Sequence, residues 1–166
     1  MDRIGIAGII GFMIILVSCD DGSSCTKNVN QSELDEVNAA QLEIDNAIIQ
    51  DYITSNNLGT IQEINGIKYI LTTEGNGVTP CLENNVTVIY TGRLLSNGTI
   101  FDKNLSGIDF PLNNLILGWK LSFPSFTKGT VATIFVPSGY GYGTKGNGPI
   151  PANANIMFNI ELVNVR

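Results

Sequence analysis

There is no histidine among the 166 residues. That absence removes the Ser-His-Asp triad, the Cys-His pair and most zinc sites, all of which rely on imidazole. Basic residues are scarce too. Nine Lys and Arg stand against fifteen Asp and Glu, a net charge of −6, with no cationic cluster to meet a phosphate backbone. Nucleic acid is therefore excluded as a partner, and the acidity reads as a solubility device. Cysteine occurs three times and never with C-x-x-C spacing, which argues against redox catalysis and zinc. No pair of carboxylates sits in an apolar setting, so glycosidase-type acid/base chemistry has little support. Internal repeats and low-complexity tracts are also missing. What is present is 43% apolar residues, enough for one real core.

Long apolar runs are represented once. Arg3 is followed by fourteen uncharged residues, Ile4 to Val17. A membrane span needs about 20, so this length suits the core of a signal peptide better. The run ends in Leu16-Val17-Ser18-Cys19, which resembles a bacterial lipobox, where cleavage precedes a cysteine that is then lipidated. Residues 1–18 are thus expected to be a lipoprotein signal peptide, and 19–31 a lipidated Cys19 with a flexible tether. Acyl chains, at about 0.8 kcal/mol per buried methylene, would hold the protein on a membrane of the bacterial cell envelope. Cys25 and Cys81 would then share an oxidising compartment. A disulfide tying tether to domain and two unpaired thiols both stay open.

Further on, SELDEVNAAQLEIDNAIIQDYIT opens a helical stretch assigned to residues 32–58. Leu34, Val37, Ile44, Ile48 and Tyr52 recur at helical spacings and predict its apolar face. Ser32 with Asp35 three residues later predicts the N-terminal cap. Such a helix either packs on its own domain or serves as a dimerisation arm. From Ile64 the period changes to that of strands. INGIKYILTTEGNG reads as one strand, NVTVIYTGRLLSNGTIFD as two joined by Ser96-Asn97-Gly98, a hairpin signal. A short helix falls between Pro111 and Pro124. TVATIFVP and ANIMFNIELVNV are the last strands. Strands, one short helix, then strands again indicate an α+β fold, an antiparallel sheet on a single helix.

Between those last strands lies PSGYGYGTKGNGPIP. Gly141-Tyr142-Gly143-Thr144-Lys145-Gly146 satisfies G-x-G-x-x-G, yet Pro149 and Pro151 forbid the helix which that motif must open. No acidic residue follows at ribose distance. The dinucleotide reading fails, and no cofactor or metal is called for.

Order and spacing carry more than composition does. VTVIYTGRLLSNGTIFD, then LILGW, then VPSGYGYG and PIPANANIMFNIELV together resemble the FKBP-type peptidyl-prolyl cis-trans isomerases, over residues 64–166. The resemblance implies a half-open antiparallel sheet wrapped around one short helix, here preceded by the N-terminal helix and tether. It also implies a set of site residues. Tyr90, Phe101 and Asp102 would line one wall, with Ile108 at the rim. Leu115 and Ile116 would lead to Trp119, the floor beneath a substrate proline. Tyr142, Ile150 and Phe158 would close the other side, with Gly141 and Gly143 letting the flap turn at Tyr142. The backbone N–H of Ile116 and the Tyr142 hydroxyl would hold the flanking carbonyls.

The implied activity is rotation about Xaa-Pro bonds in exported, proline-containing polypeptides, without acid/base chemistry. Amide resonance sets a barrier of about 18–20 kcal/mol. A dry apolar slot favours the twisted, less polar amide over the planar one. A monomer is expected, and the resemblance further implies that macrolide inhibitors bind in the same slot. A module that holds proline segments without turnover, or an accessory lipoprotein of an envelope machine, is the alternative.

Overall fold

The computed structural model describes residues 25–166. The expected signal peptide, Cys19 and the first residues of the tether lie outside the described residues. Among those described, no helix is long and apolar enough to cross a membrane.

The end of the expected tether is fastened to the domain. Cys25 and Cys81 form a disulfide with Cα atoms 5.1 Å apart. Next to it, the Leu82 amide donates to the Thr26 carbonyl at 2.7 Å, and the Thr26 amide to Glu83 Oε2 at 3.1 Å. Cys25 and Thr26 are therefore held on the domain and Val29 packs against its core, a correction to the flexible tether expected there.

The expected single helix is two: α1 (Gln31–Asp35) and α2 (Ala39–Ser55). Asn38 interrupts them with an extended backbone, and its side chain accepts from the Gln41 amide at 3.0 Å. The effective cap is therefore Asn38, while Ser32 sits inside α1. Leu34, Val37 and Tyr52 of the predicted apolar face do pack against the cores, but along α2 the buried line runs one position further on. Ile44 and Ile48 are about half exposed, whereas Asp45, Ile49 and Ile53 are buried. A carboxyl on the inner face breaks the apolar pattern there, so the eye settles on the neighbouring isoleucines. Beyond the helix, which is capped at Asn56, Asn57 has a φ of +48° that lets the Leu58 amide reach back to the Ile53 carbonyl.

Strands β1 (Gln62–Ile64) and β2 (Ile67–Thr73) form a hairpin in place of the one expected strand. Asn65 and Gly66 both adopt positive φ, 49° and 78°, the requirement of a two-residue turn that matches strand twist. The Asn65 side chain also donates to the Leu121 carbonyl at 3.0 Å, reaching across to the next helix. Strands β3 (Asn85–Leu94) and β4 (Ile100–Pro111) follow as the predicted hairpin. Their register slips twice, between Val88 and Tyr90 and between Gly92 and Arg93. A short 3₁₀ turn leads into α3 (Leu117–Ser122), and Pro124 lies just beyond its end. Strands β5 (Val131–Val136) and β6 (Ile156–Val165) complete the chain.

All pairings are antiparallel, in one six-stranded sheet of order β1-β2-β5-β6-β3-β4. The main core, with Val86, Val88, Leu112, Trp119, Phe123, Ile134 and Leu162, lies between this sheet and α3. Gly118 permits that approach, since a Cβ there would come within 2.6 Å of Val136. A smaller core of Ile49, Ile53, Leu95 and Phe135 lies under α2. The N-terminal helix thus packs on its own domain.

Candidate active site

Between β3, β4, α3 and the β5–β6 connection is a cavity of about 180 Å³. Its lining is Tyr90, Phe101, Asp102, Phe110, Leu115, Ile116, Trp119, Tyr142 and Phe158. Larger grooves exist, such as one of about 400 Å³ beside Ile48 and Tyr52, but none of them gathers so many rings.

Trp119 is the hub. It points from α3 into the core, 4% exposed, and stacks on Phe123 at 4.7 Å and 13°. Tyr90, Phe110 and Phe158 stand edge-on around it at 5.5, 6.3 and 5.2 Å. Edge-to-face rings of this kind add about 0.5–1.5 kcal/mol per pair beyond area burial. The indole N–H has no hydrogen-bond partner, alone among buried side-chain N and O atoms of the described residues. Phe101 meets Phe158 at 5.6 Å and 88°. Both rings rest over Gly92, where a Cβ would lie 2.6 Å from Phe101 and 2.7 Å from Phe158. Any larger residue at position 92 would push the wall apart.

The polar content of the slot is small and mostly committed. The Tyr90 hydroxyl donates to Asp102 Oδ2 at 2.6 Å, and Asp102 Oδ1 accepts from the Lys103 amide at 2.8 Å. Burial, then the bond to Asp102, raises the Tyr90 hydroxyl well above its ordinary value. Tyr142 is raised by burial first and by the charge of Asp102 second. Besides the buried indole N–H of Trp119, two donors at the rim stay uncommitted. Among the described residues nothing accepts from the Ile116 N–H or the Tyr142 hydroxyl. No group of three or more His, Cys, Asp or Glu that would hold a metal occurs among the described residues.

Eight of the ten residues named from the sequence, Tyr90, Phe101, Asp102, Leu115, Ile116, Trp119, Tyr142 and Phe158, meet in this cavity. Ile108 does not. The bulge between Tyr90↔Asn104 and Val88↔Ile108, with Gly107 at φ +87°, leaves Ile108 outside the slot, 36% exposed. Phe110, two residues on and paired with Val86, supplies the aromatic. Ile150 also stays out of the lining. It is 5% exposed, part of the core, and exchanges hydrogen bonds with Asn147 at 2.9 Å to close the flap. Gly143 has the positive φ expected of the flap turn, but Gly141 does not: its φ is −108°. Phe110 and Gly92 escape a reading of the sequence. The bulge hides Phe110 because its two extra residues move the place opposite Val86 from position 108 to position 110, and a glycine inside a strand, as at Gly92, shows its reason only in three dimensions.

Comparison with known proteins agrees with this geometry. The profile of the FKBP-type peptidyl-prolyl cis-trans isomerase family matches residues 77–163. The peptidyl-prolyl cis-trans isomerase Mip of Coxiella burnetii is 37% identical over 61% of this chain and 46% of its own. The outer membrane protein MIP of Legionella longbeachae is 32% identical over 61% of this chain and 45% of its own. The chain thus spans less than half the length of these curated relatives. A crystal structure of a peptidyl-prolyl cis-trans isomerase from Pseudomonas syringae superposes with a TM-score of 0.66 at 29% identity. It covers 76% of this chain and 93% of that one. The chain belongs to the FKBP-type peptidyl-prolyl cis-trans isomerase family, and its open antiparallel sheet on a short helix is the fold of that family.

Proposed function

We propose that this protein is a lipid-anchored prolyl cis-trans isomerase that turns Xaa-Pro bonds in exported polypeptides. One observation carries the reading: an aromatic slot whose rim offers two uncommitted donors, the Ile116 N–H and the Tyr142 hydroxyl. A proline ring would rest on Trp119, between Phe101, Phe158 and Phe110. The two donors would hold carbonyls on either side of the bond that turns.

The chemistry needs no proton transfer. The planar amide is the more polar form, so moving it from water into an apolar slot raises its energy relative to the twisted form. Donors that grip flanking carbonyls add stabilisation specific to the transition state. Together, about 5–6 kcal/mol off the barrier gives roughly 10⁴-fold. Asp102, by accepting from Tyr90, would keep that ring upright as a wall. A macrolide seated in the slot would compete with substrate.

Anchoring rests on the leader pattern and Cys19, and places the slot at the bacterial cell envelope. The name of the Legionella longbeachae relative, an outer membrane protein, is in keeping with that setting. Domain limits follow as 1–18 signal, 19–31 anchor and linker, 32–58 helical extension and 64–166 isomerase domain. The protein is taken to act as a monomer.

Magnetisation exchange between cis and trans Xaa-Pro peptide, with protein lacking residues 1–19, tests the activity. Acceleration is expected, and Tyr142→Phe should reduce it about two- to tenfold, the worth of one hydrogen bond of about 0.5–1.5 kcal/mol. Well-folded protein that binds the peptide without accelerating exchange would make this a holding module. Metabolic labelling with palmitate tests the anchor, with Cys19→Ala as the variant that should lose the label.

A further inference from the structure

Asp45 is the one fully buried acidic residue among those described, at 0% exposed, and the slot chemistry makes no use of it. Burying a carboxyl is costly unless its oxygens are well satisfied. Here they are. Oδ2 accepts from the Ser138 amide at 2.9 Å and from the Ser138 hydroxyl at 2.6 Å. Oδ1 accepts from Gln41 Nε2 at 2.9 Å.

What the carboxyl holds is the base of the flap. Ser138 is the second residue after β5 ends, and the same Ser138 amide also donates to Asn155 Oδ1 at 2.9 Å. Asn155 immediately precedes β6 and is itself buried. Both stems of the loop therefore meet at one node, and α2 supplies its centre from 93 positions away in sequence. Beyond the node, Ser138–Tyr140 form a 3₁₀ turn, and Tyr142 follows two residues later. Adjacent packing is tight: a Cβ on Gly139 would come within 2.8 Å of Val37 in the α1–α2 link. Little slack separates the extension from the residue that bears the rim hydroxyl.

We infer that Asp45 is a positioning residue for the isomerase site: it locks the flap stems and so fixes Tyr142 over the slot. Asp45 is then part of the active-site machinery, although it contributes no atom to the cavity. The proposal rests on the isomerase reading for its kinetic consequence, but not for its structural one. Misplacing a catalytic contact by about an ångström costs up to about 10²-fold, so loosening the stems reaches the rate without touching the slot.

The test compares four variants in the full chain, with hydrogen exchange at the hydrogen-bonded Gly141, Gly146 and Asn153 amides read beside peptide kinetics. Asp45→Ala should speed exchange at these amides about tenfold or more and lower kcat about tenfold, with KM changed less than about threefold. Asp45→Asn should recover most of both, since its carbonyl oxygen can still accept from Ser138 while the Gln41 amide turns over. Ile49→Ala, one turn along the same buried face, should lower stability yet leave flap exchange and kcat as they were. Should Asp45→Ala fail to fold, Ser138→Ala decides, with about a threefold change in the same direction. Unchanged flap exchange and kcat in a folded Asp45→Ala or Ser138→Ala protein overturns the proposal. So does an Ile49→Ala protein that loosens the flap equally, because the helix as a whole would then be responsible. If the wild-type protein shows no turnover, the isomerase reading fails alone, and exchange at the flap amides still decides whether Asp45 locks the stems.

Discussion

Two helices pack against the two faces of one sheet, and they are held in opposite ways. Along β5, Ile134 and Val136 belong to the core with Trp119 and α3, while Phe135 between them belongs to the core with Ile49, Ile53 and α2. Successive residues of a strand point to opposite faces, so α3 and α2 lie on either side. The α3 face is thick and aromatic, with its rings stacked and edge-on. The α2 face is thin, and a polar node at Asp45 supplements its four buried apolar side chains. A large apolar core leaves its inner side chains free to shape a slot. A small one has to add directional bonds to fix where it sits, and those bonds can set the geometry of something else.

The largest effect should come from the α3 face. Trp119→Ala removes the floor and the centre of the aromatic cluster, at about 3–5 kcal/mol. Denaturant unfolding should show that loss, and turnover should vanish even where the protein stays folded. On the α2 face, Ile49→Ala should cost about 2–5 kcal/mol and leave turnover intact below its unfolding transition. Equal effects on rate from both variants would erase the functional difference between the faces.

The same contrast explains how much of the molecule is legible in the chain. The slot side is legible because its residues sit in short blocks, VIYTG, IFD, LILGW and YGYG, each fixed by local strand or turn geometry. The Asn97-Gly98 turn is visible on the same grounds. Asn65-Gly66 carries the same signal but is masked, because Ile64 and Ile67 on either side read as one continuous strand. The α2 side is less legible because apolar periodicity assumes that a buried position is apolar. Asp45 is buried by virtue of Ser138, a partner that no window on the helix contains. Ile108 misleads for a different reason: an unbroken register would set it opposite Val86, and the bulge at Gly107 gives that place to Phe110.

The disulfide gives the next largest test, since it fastens the N-terminal arm that carries α1 and α2. Cys25 and Cys81 are 56 residues apart in sequence, and a cross-link over such a loop is worth about 2–4 kcal/mol. The Cys25→Ser, Cys81→Ser double variant should lose that much in denaturant unfolding. Its turnover should be retained, because Lys120 on α3 still pairs with Glu33 on α1 and the Asp45 node is untouched. A drop in turnover would extend the machinery of the site to the arm itself.

The smallest effect is one of pH, and it belongs to the slot face. Burial raises the hydroxyls of Tyr90, Tyr140 and Tyr142, and Asp102 adds to the shift at Tyr90 and Tyr142. The folded protein therefore keeps protons that the unfolded chain begins to lose near about pH 10. Their contribution to stability is complete below that pH and is lost as pH climbs through the raised folded values. Tyrosinate absorbance should lag in the native protein and jump on alkaline unfolding, with a smaller lag in Asp102→Asn. For the same reason turnover should be flat from about pH 6 to 9, because the hydroxyls at the slot stay protonated and no acid or base takes part. A bell-shaped profile in that range would mean that a proton moves in the rate-limiting step, and the apolar account of the slot would have to be given up.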